Sequence, residues 1–233
     1  MLRAILFDFN GVLVDDEPIH FELLRQVLAE EGHQLDQDFY WSRLLGVPDR
    51  AALALFLRDR GEEPSADRLS RLTARKAAYY QQRMWRQGFP IVPGATELIA
   101  SLAAAGLPLG VVSGALRDEI EMALEQIGLA HCFKTIVAAE DVAEGKPDPE
   151  GYRRGLRELN SLPPLPARLL HPHEVLAIED APAGLAAAAA AGLATLGLAK
   201  TYSAGALGGA ERVVASLEGL ELESLLALFS PGP

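Results

Sequence analysis

The chain has 233 residues, of which 49% are hydrophobic and 23% charged, and carries a formal net charge of −11. That hydrophobic share supports a sizeable core and excludes a disordered chain, while the acidic balance, with no basic tract against it, excludes nucleic acid and anionic membrane as partners. One cysteine, Cys132, excludes an internal disulfide framework; no apolar run reaches the roughly 18 residues of a membrane span.

The first apolar run, Leu2 to Phe7, breaks onto Asp8 and reads as a buried strand; it is too short for a secretory signal, so a cytoplasmic protein is expected. Asn10 and Gly11 follow, then a second apolar run that ends at Asp15. Residues 17 to 87 read as helical. Ile19, Leu23, Leu24, Val27 and Leu28 keep the helical period up to a C-cap at Gly32. A second helix is expected over Asp49–Asp59 and a third over Asp67–Arg86. From Ile91 strands and helices alternate: helix 95–105, strand Pro108–Val112, helix 117–127, strand Thr135–Ala138, helix 149–159, strand Leu176–Ile178, helix 183–191, a strand near 194–198 and a helix near 221–229. Alternation of this kind predicts an α/β fold with a doubly wound parallel sheet. The helical block therefore interrupts a core made of residues 1–15 and 92–233, and forms an inserted α-helical domain over 16–91. Pro90 and Pro93 mark the second junction.

Several features read as structure only. Ala186–Ala191 is a good helix former that lets a helix pack closely on a sheet. Ser161–Arg168, with Pro163, Pro164 and Pro166, is a stiff surface loop. Gly205, Gly208 and Gly209 are too irregular for a phosphate-binding fingerprint. Cys132 reads as a small hydrophobe near a strand start.

Asp8, Ser113, Lys146 and the pair Glu179–Asp180 each end a predicted strand or lie one loop beyond it. In a parallel sheet those ends share one edge, where ligands bind. Taken singly, Ser113 could be a helix N-cap, Lys146 a solvated cation, and Glu179–Asp180 a cap before the helix at 183. Together they supply a nucleophilic carboxylate, a hydroxyl, a cation and two further acids, which are the parts that phosphoryl transfer needs. Clustered carboxylates repel unless a hard, oxygen-loving cation sits among them, and Mg2+ is the expected one. No His/Cys cluster suggests zinc.

These residues carry a family resemblance. Asp8-Phe9-Asn10-Gly11-Val12-Leu13-Val14-Asp15 resembles the first motif of the haloacid dehalogenase superfamily, and Val111-Val112-Ser113-Gly114 its second. Gly145-Lys146-Pro147-Asp148-Pro149 is similar to the third, and Ile178-Glu179-Asp180-Ala181-Pro182-Ala183-Gly184 to the fourth. All occur in order, and the helical insertion after the first resembles the cap of beta-phosphoglucomutase-like and phosphoglycolate phosphatase-like members. The resemblance implies a Mg2+-dependent hydrolase of small phosphate esters that works through an aspartyl phosphate. Asp8 would be nucleophile and metal ligand. Ser113, Gly114 and Lys146 would hold the phosphoryl group. The backbone carbonyl of Asn10, with Glu179 and Asp180, would complete the metal site. A small phosphorylated metabolite is the implied partner, and a monomer is compatible with the chain.

Two residues depart from the family pattern. Asn10 stands where its phosphatases carry an aspartate that acts as general acid and base, a loss that typically costs about 10²–10⁴-fold. Ala181 replaces a small hydroxyl residue with little expected consequence. In the cap, which selects substrate in this superfamily, His20 matches a mutase histidine and is a candidate substrate ligand. Leu45 stands where the mutases carry a lysine, which argues against a sugar phosphomutase. Arg50 is open between an anion ligand and an exposed helix charge. Arg83, Trp85 and Arg86 read as a solvated face with one packed Trp. A sugar phosphomutase and a catalytically weak phosphometabolite-binding protein remain the alternatives. The metal-free dehalogenases lack the acidic pair of the fourth motif, so dehalogenation is not expected.

Overall fold

A computed structural model describes residues 1–227. The chain forms two compact units: Met1–Asp15 together with the chain from Phe89 onward, and Asp16–Gly88. In chain order the strands are β1 (Ala4–Phe7), β2 (Leu109–Val112), β3 (Phe133–Val137), β4 (Val175–Glu179), β5 (Ala194–Leu198) and β6 (Arg212–Val214). The principal helices are α1 (Glu17–Glu30), α2 (Gln37–Phe39), α3 (Asp49–Asp59), α4 (Ala66–Gln87), α5 (Ala95–Ala104), α6 (Arg117–Gln126), α7 (Glu150–Ser161), α8 (Pro182–Ala190) and α9 (Leu222–Ala227).

The strands form one parallel sheet in the order β3-β2-β1-β4-β5-β6. This is the strand order of doubly wound folds, and its switch point falls between β1 and β4. Every residue of β1, β2, β4 and β5 is buried. That explains why these strands read as unbroken apolar runs: a sheet buried on both faces shows no polar alternation. Tyr152 and Leu159 of α7 and Ala187 and Ala188 of α8 join Ala4, Leu6, Val175 and Ala177 in one core cluster. Small alanines let α8 lie close on the sheet, as expected of the Ala-rich run.

The sequence carries no strand signal for β6. This strand is three residues long, only partly buried and at the sheet's edge, so it carries neither an apolar run nor an alternation long enough to register. The predicted C-terminal helix is α9 within the described residues; positions 228 and 229 lie outside them.

The helical unit has its own core, built from Leu24, Val27 and Leu28 of α1, Leu53, Phe56 and Leu57 of α3, and Leu69 and Leu72 of α4. Ser65 caps α4 by accepting the Arg68 backbone N–H at 3.2 Å. The buried stripe of α4 runs Leu69, Leu72, Lys76, Tyr80, Met84, at three- and four-residue steps. Trp85 falls about 100° round the helix from Met84 and is 80% exposed. The expectation of a packed tryptophan is therefore overturned, since the stripe already places Met84 inward at that turn.

Candidate active site

Because Phe7 pairs with Ile178 in register, Asp8 and Glu179 leave neighbouring strands at the same level. The Asp8 N–H donates to the Ile178 carbonyl at 2.9 Å, which carries the ladder one residue past β1 and fixes where the Asp8 side chain starts. Lys146 reaches the same point from the loop before α7. Its ammonium lies 2.7 Å from Asp8 Oδ1 and 2.6 Å from Glu179 Oε1. The Tyr152 hydroxyl donates to Glu179 Oε1 at 2.5 Å. Asp8, Glu179 and Asp180 each offer a carboxylate oxygen to a group whose atoms all lie within 4.8 Å of one another.

Three buried carboxylates facing one ammonium make a strongly negative site. Burial alone would lower the Lys146 pKa, yet the charges of Asp8 and Glu179 outweigh it and hold the ammonium above its ordinary value. Burial, and then the charge of Asp8, push both Glu179 and Asp180 up out of the usual carboxylate range. Added positive charge would favour their ionised forms.

The donor set fits a hard divalent cation. It consists of oxygens alone, and Glu179 Oε2 is buried with no hydrogen-bond partner. Close backbone makes room for it. A Cβ on Gly11 would stand 1.8 Å from Asp180 Oδ2, and Gly11 has φ +75°. A Cβ on Gly184 would stand 2.0 Å from the Glu179 carboxyl carbon. Gly184→Ala is expected to force Glu179 aside, at a cost of about 1–3 kcal/mol for overpacking. The measurement is thermal unfolding, in which a chain of this size loses roughly 2–4 °C per kcal/mol; an unchanged midpoint would show that Glu179 has room to move.

Ser113 ends β2 beside β1. Its N–H donates to the Val137 carbonyl at 2.9 Å, and its Oγ accepts from the Ala115 N–H at 3.0 Å. It is not a helix N-cap, because α6 begins at Arg117 with Leu116 in that place. Gly114 is exposed, with open space where a Cβ would be. Asn10 is half-buried in the turn after β1, where it bridges to Val14. Glu179 and Asp180 likewise do not cap α8, whose N-cap is Ala181.

His20 belongs to the helical unit and sits in a polar network there. Lys76, 1% exposed, donates to His20 Nδ1 at 2.5 Å and to Asp49 Oδ1 at 2.5 Å. An ammonium donor at Nδ1 leaves the ring proton on Nε2, which points to Asp16 Oδ2 at 3.2 Å. Tyr80 donates to the same oxygen at 2.5 Å and stacks on His20. Arg50 is exposed and ties α3 to α4 by donating to Ser70 Oγ at 2.9 Å, while Arg83 pairs with Glu22 at 2.5 Å. Both therefore hold helices of this unit together.

Sequence reading missed two residues of the site. Tyr152 shares the apolar stripe of α7 with Leu156 and Leu159, so its pattern says only that it is buried. Thr201, in the turn after β5, is a hydrogen-bond partner of the Asp180 carboxylate. No local signal in the chain marks it.

A family model for haloacid dehalogenase-like hydrolases matches residues 2–192. Validoxylamine A 7'-phosphate phosphatase of Streptomyces hygroscopicus subsp. limoneus is 32% identical over 223 residues, 93% of this chain and 95% of that protein. A phosphorylated carbohydrates phosphatase of Thermotoga maritima is 27% identical over 192 residues, 82% of each chain. Among solved structures, CbbY from Rhodobacter sphaeroides in complex with phosphate superposes with a TM-score of 0.82 at 28% identity, covering 97% of this chain and 99% of that one.

Proposed function

The chain belongs to the haloacid dehalogenase-like hydrolases, and we propose that within them it hydrolyses small phosphate monoesters through an aspartyl phosphate on Asp8. The observation that carries this reading is the Asp8–Lys146 pair at 2.7 Å beside the buried acids Glu179 and Asp180. One Asp8 oxygen is engaged by Lys146. The other attacks phosphorus, the bond from phosphorus to the alcohol oxygen breaks, and the departing alkoxide takes up a proton from solvent, to which the water of the second step returns one. Water then attacks the same phosphorus, which releases inorganic phosphate and restores the Asp8 carboxylate. Lys146 and the Ser113 hydroxyl neutralise the non-bridging oxygens, and the Gly114 backbone lies open to the phosphoryl group beside them. Tyr152 keeps Glu179 in place.

Asp8, Glu179 and Asp180, with the Asn10 backbone carbonyl, would hold Mg2+. When bound, the cation offsets the carboxylate charge and polarises the phosphoryl oxygen. Turnover of an aryl phosphate is expected to vanish in excess chelator and to return with Mg2+. Full activity in chelator would remove the metal from this reading.

The substrate class proposed is a phosphorylated carbohydrate or a sugar-like alcohol. It is supported by the relatives named for phosphorylated carbohydrates and for validoxylamine A 7'-phosphate, and a cytoplasmic setting goes with it. No helix among the described residues is long and apolar enough to cross a membrane. The test is a screen of phosphorylated sugars for phosphate release. A sugar 1-phosphate converted to the 6-phosphate, with no free phosphate, would instead make the chain a mutase; phosphate release is expected, in keeping with Leu45. Binding without turnover of any substrate would make it a phosphometabolite-binding protein.

A further inference from the structure

Beyond Leu198, at the end of β5, the chain turns back on itself. Ala199 N–H donates to the Val214 carbonyl at 2.8 Å and Lys200 N–H to the Leu198 carbonyl at 2.9 Å. Two side chains then reach back toward the segment that follows β1. Lys200 Nζ lies 2.7 Å from Asp15 Oδ2. Thr201, half-buried, places its hydroxyl on the Asp180 carboxylate. Both groups converge on Gly11: a Cβ there would stand 1.8 Å from Asp180 Oδ2 and 2.8 Å from Thr201 Oγ1.

An Asp180 carboxylate in that position has backbone on one side and a hydroxyl on another. With a second carboxylate and Asp8 close by, its rotamer is under electrostatic pressure to swing out of the cluster. A hydroxyl that holds one carboxylate oxygen leaves the other for a cation and fixes the direction in which it points. Groups that hold a metal's ligands in this way typically contribute 10–100-fold to affinity. The Lys200–Asp15 pair supplies the anchor, because it pins the turn that carries Thr201 to the segment that carries Gly11.

We propose that Thr201 is a positioning residue for the metal site: its hydroxyl orients the Asp180 carboxylate, and the Lys200–Asp15 pair holds the turn that presents it. This inference rests on the reading of Asp180 as a metal ligand, and the test separates the two. Mn2+ is titrated into the full chain and into Thr201→Val, Thr201→Ser and Asp180→Asn, with binding followed by calorimetry and fold by thermal unfolding without metal. Valine keeps the shape and loses the donor; serine keeps the donor. Thr201→Val is expected to weaken Mn2+ binding by about tenfold or more at an unchanged unfolding midpoint, with Thr201→Ser close to the parent. Parent-like binding by Thr201→Val, with Asp180→Asn impaired, would overturn the role of Thr201. So would equal impairment of Thr201→Ser and Thr201→Val, because the hydroxyl would then not be what matters. Parent-like binding by Asp180→Asn would instead sink the metal site itself, and the inference with it.

Discussion

Asp8→Asn is expected to abolish phosphate ester hydrolysis while the protein stays folded. Asparagine nearly matches aspartate in volume, so β1 and its ladder to β4 should persist. On the proposed mechanism the attacking oxygen is lost, and losing a covalent nucleophile costs on the order of 10³-fold or more. The charge argument adds a second readout. Burial, and after it the charge of Asp8, raise the pKa of Glu179 and Asp180, so neutralising Asp8 relieves repulsion among the carboxylates when metal is withheld. The variant's unfolding midpoint in chelator should equal or exceed the parent's, although activity is gone. The Lys146 partnership with Glu179 at 2.6 Å remains and limits disturbance of the loop. Incubation with an aryl phosphate, followed by intact-mass measurement, should show a phosphoryl adduct on the parent only. Turnover by Asp8→Asn within about tenfold of the parent would show that this carboxylate is not the nucleophile.

How much of this could be read from the chain varied with the physics behind each signal. The strands of the switch point were legible because burial on both faces leaves an apolar run, and because Asp8 and Glu179 each interrupt one. Lys146, beside Gly145 and Pro147, is plain in sequence; that it reaches both Asp8 and Glu179 depends on the loop before α7. Thr201 stayed hidden because its meaning lies in a turn that returns to Gly11, a contact across almost the whole chain. Lys76 was hidden differently. It occupies a core position in α4 where an apolar residue is expected, and it is tolerated there because His20 and Asp49 accept its protons. Trp85 misled because an aromatic near the end of an amphipathic helix suggests packing, whereas the stripe had already chosen Met84.

Asn10→Asp is expected to raise turnover of alkyl phosphates by about 10²-fold or more. Asn10 follows Asp8 by two residues, in a turn shaped by Gly11 and by the Gly11 N–H donating to the Val14 carbonyl at 2.7 Å. The substitution is nearly isosteric and leaves those backbone contacts alone. It adds a carboxyl two residues after Asp8, in the half-buried turn that bridges to Val14. A carboxyl there can carry a proton to the alkoxide and take one from water. An amide can do neither. The gain should therefore follow the leaving group: large for alkyl phosphates, whose alkoxides need protonation, and smaller for aryl and acyl phosphates, which leave as stable anions. Hydrolysis of the aspartyl phosphate also needs a base, so the chain as it stands should accumulate phosphorylated Asp8 with good leaving groups, and Asn10→Asp should clear it. Steady-state rates across leaving groups, with intact-mass measurement of the adduct, test both steps. An equal gain on every substrate would place the effect in binding or in the second step alone. No gain on any would mean that another group of this chain already moves the proton, and that Asn10 is not the lesion its position suggests.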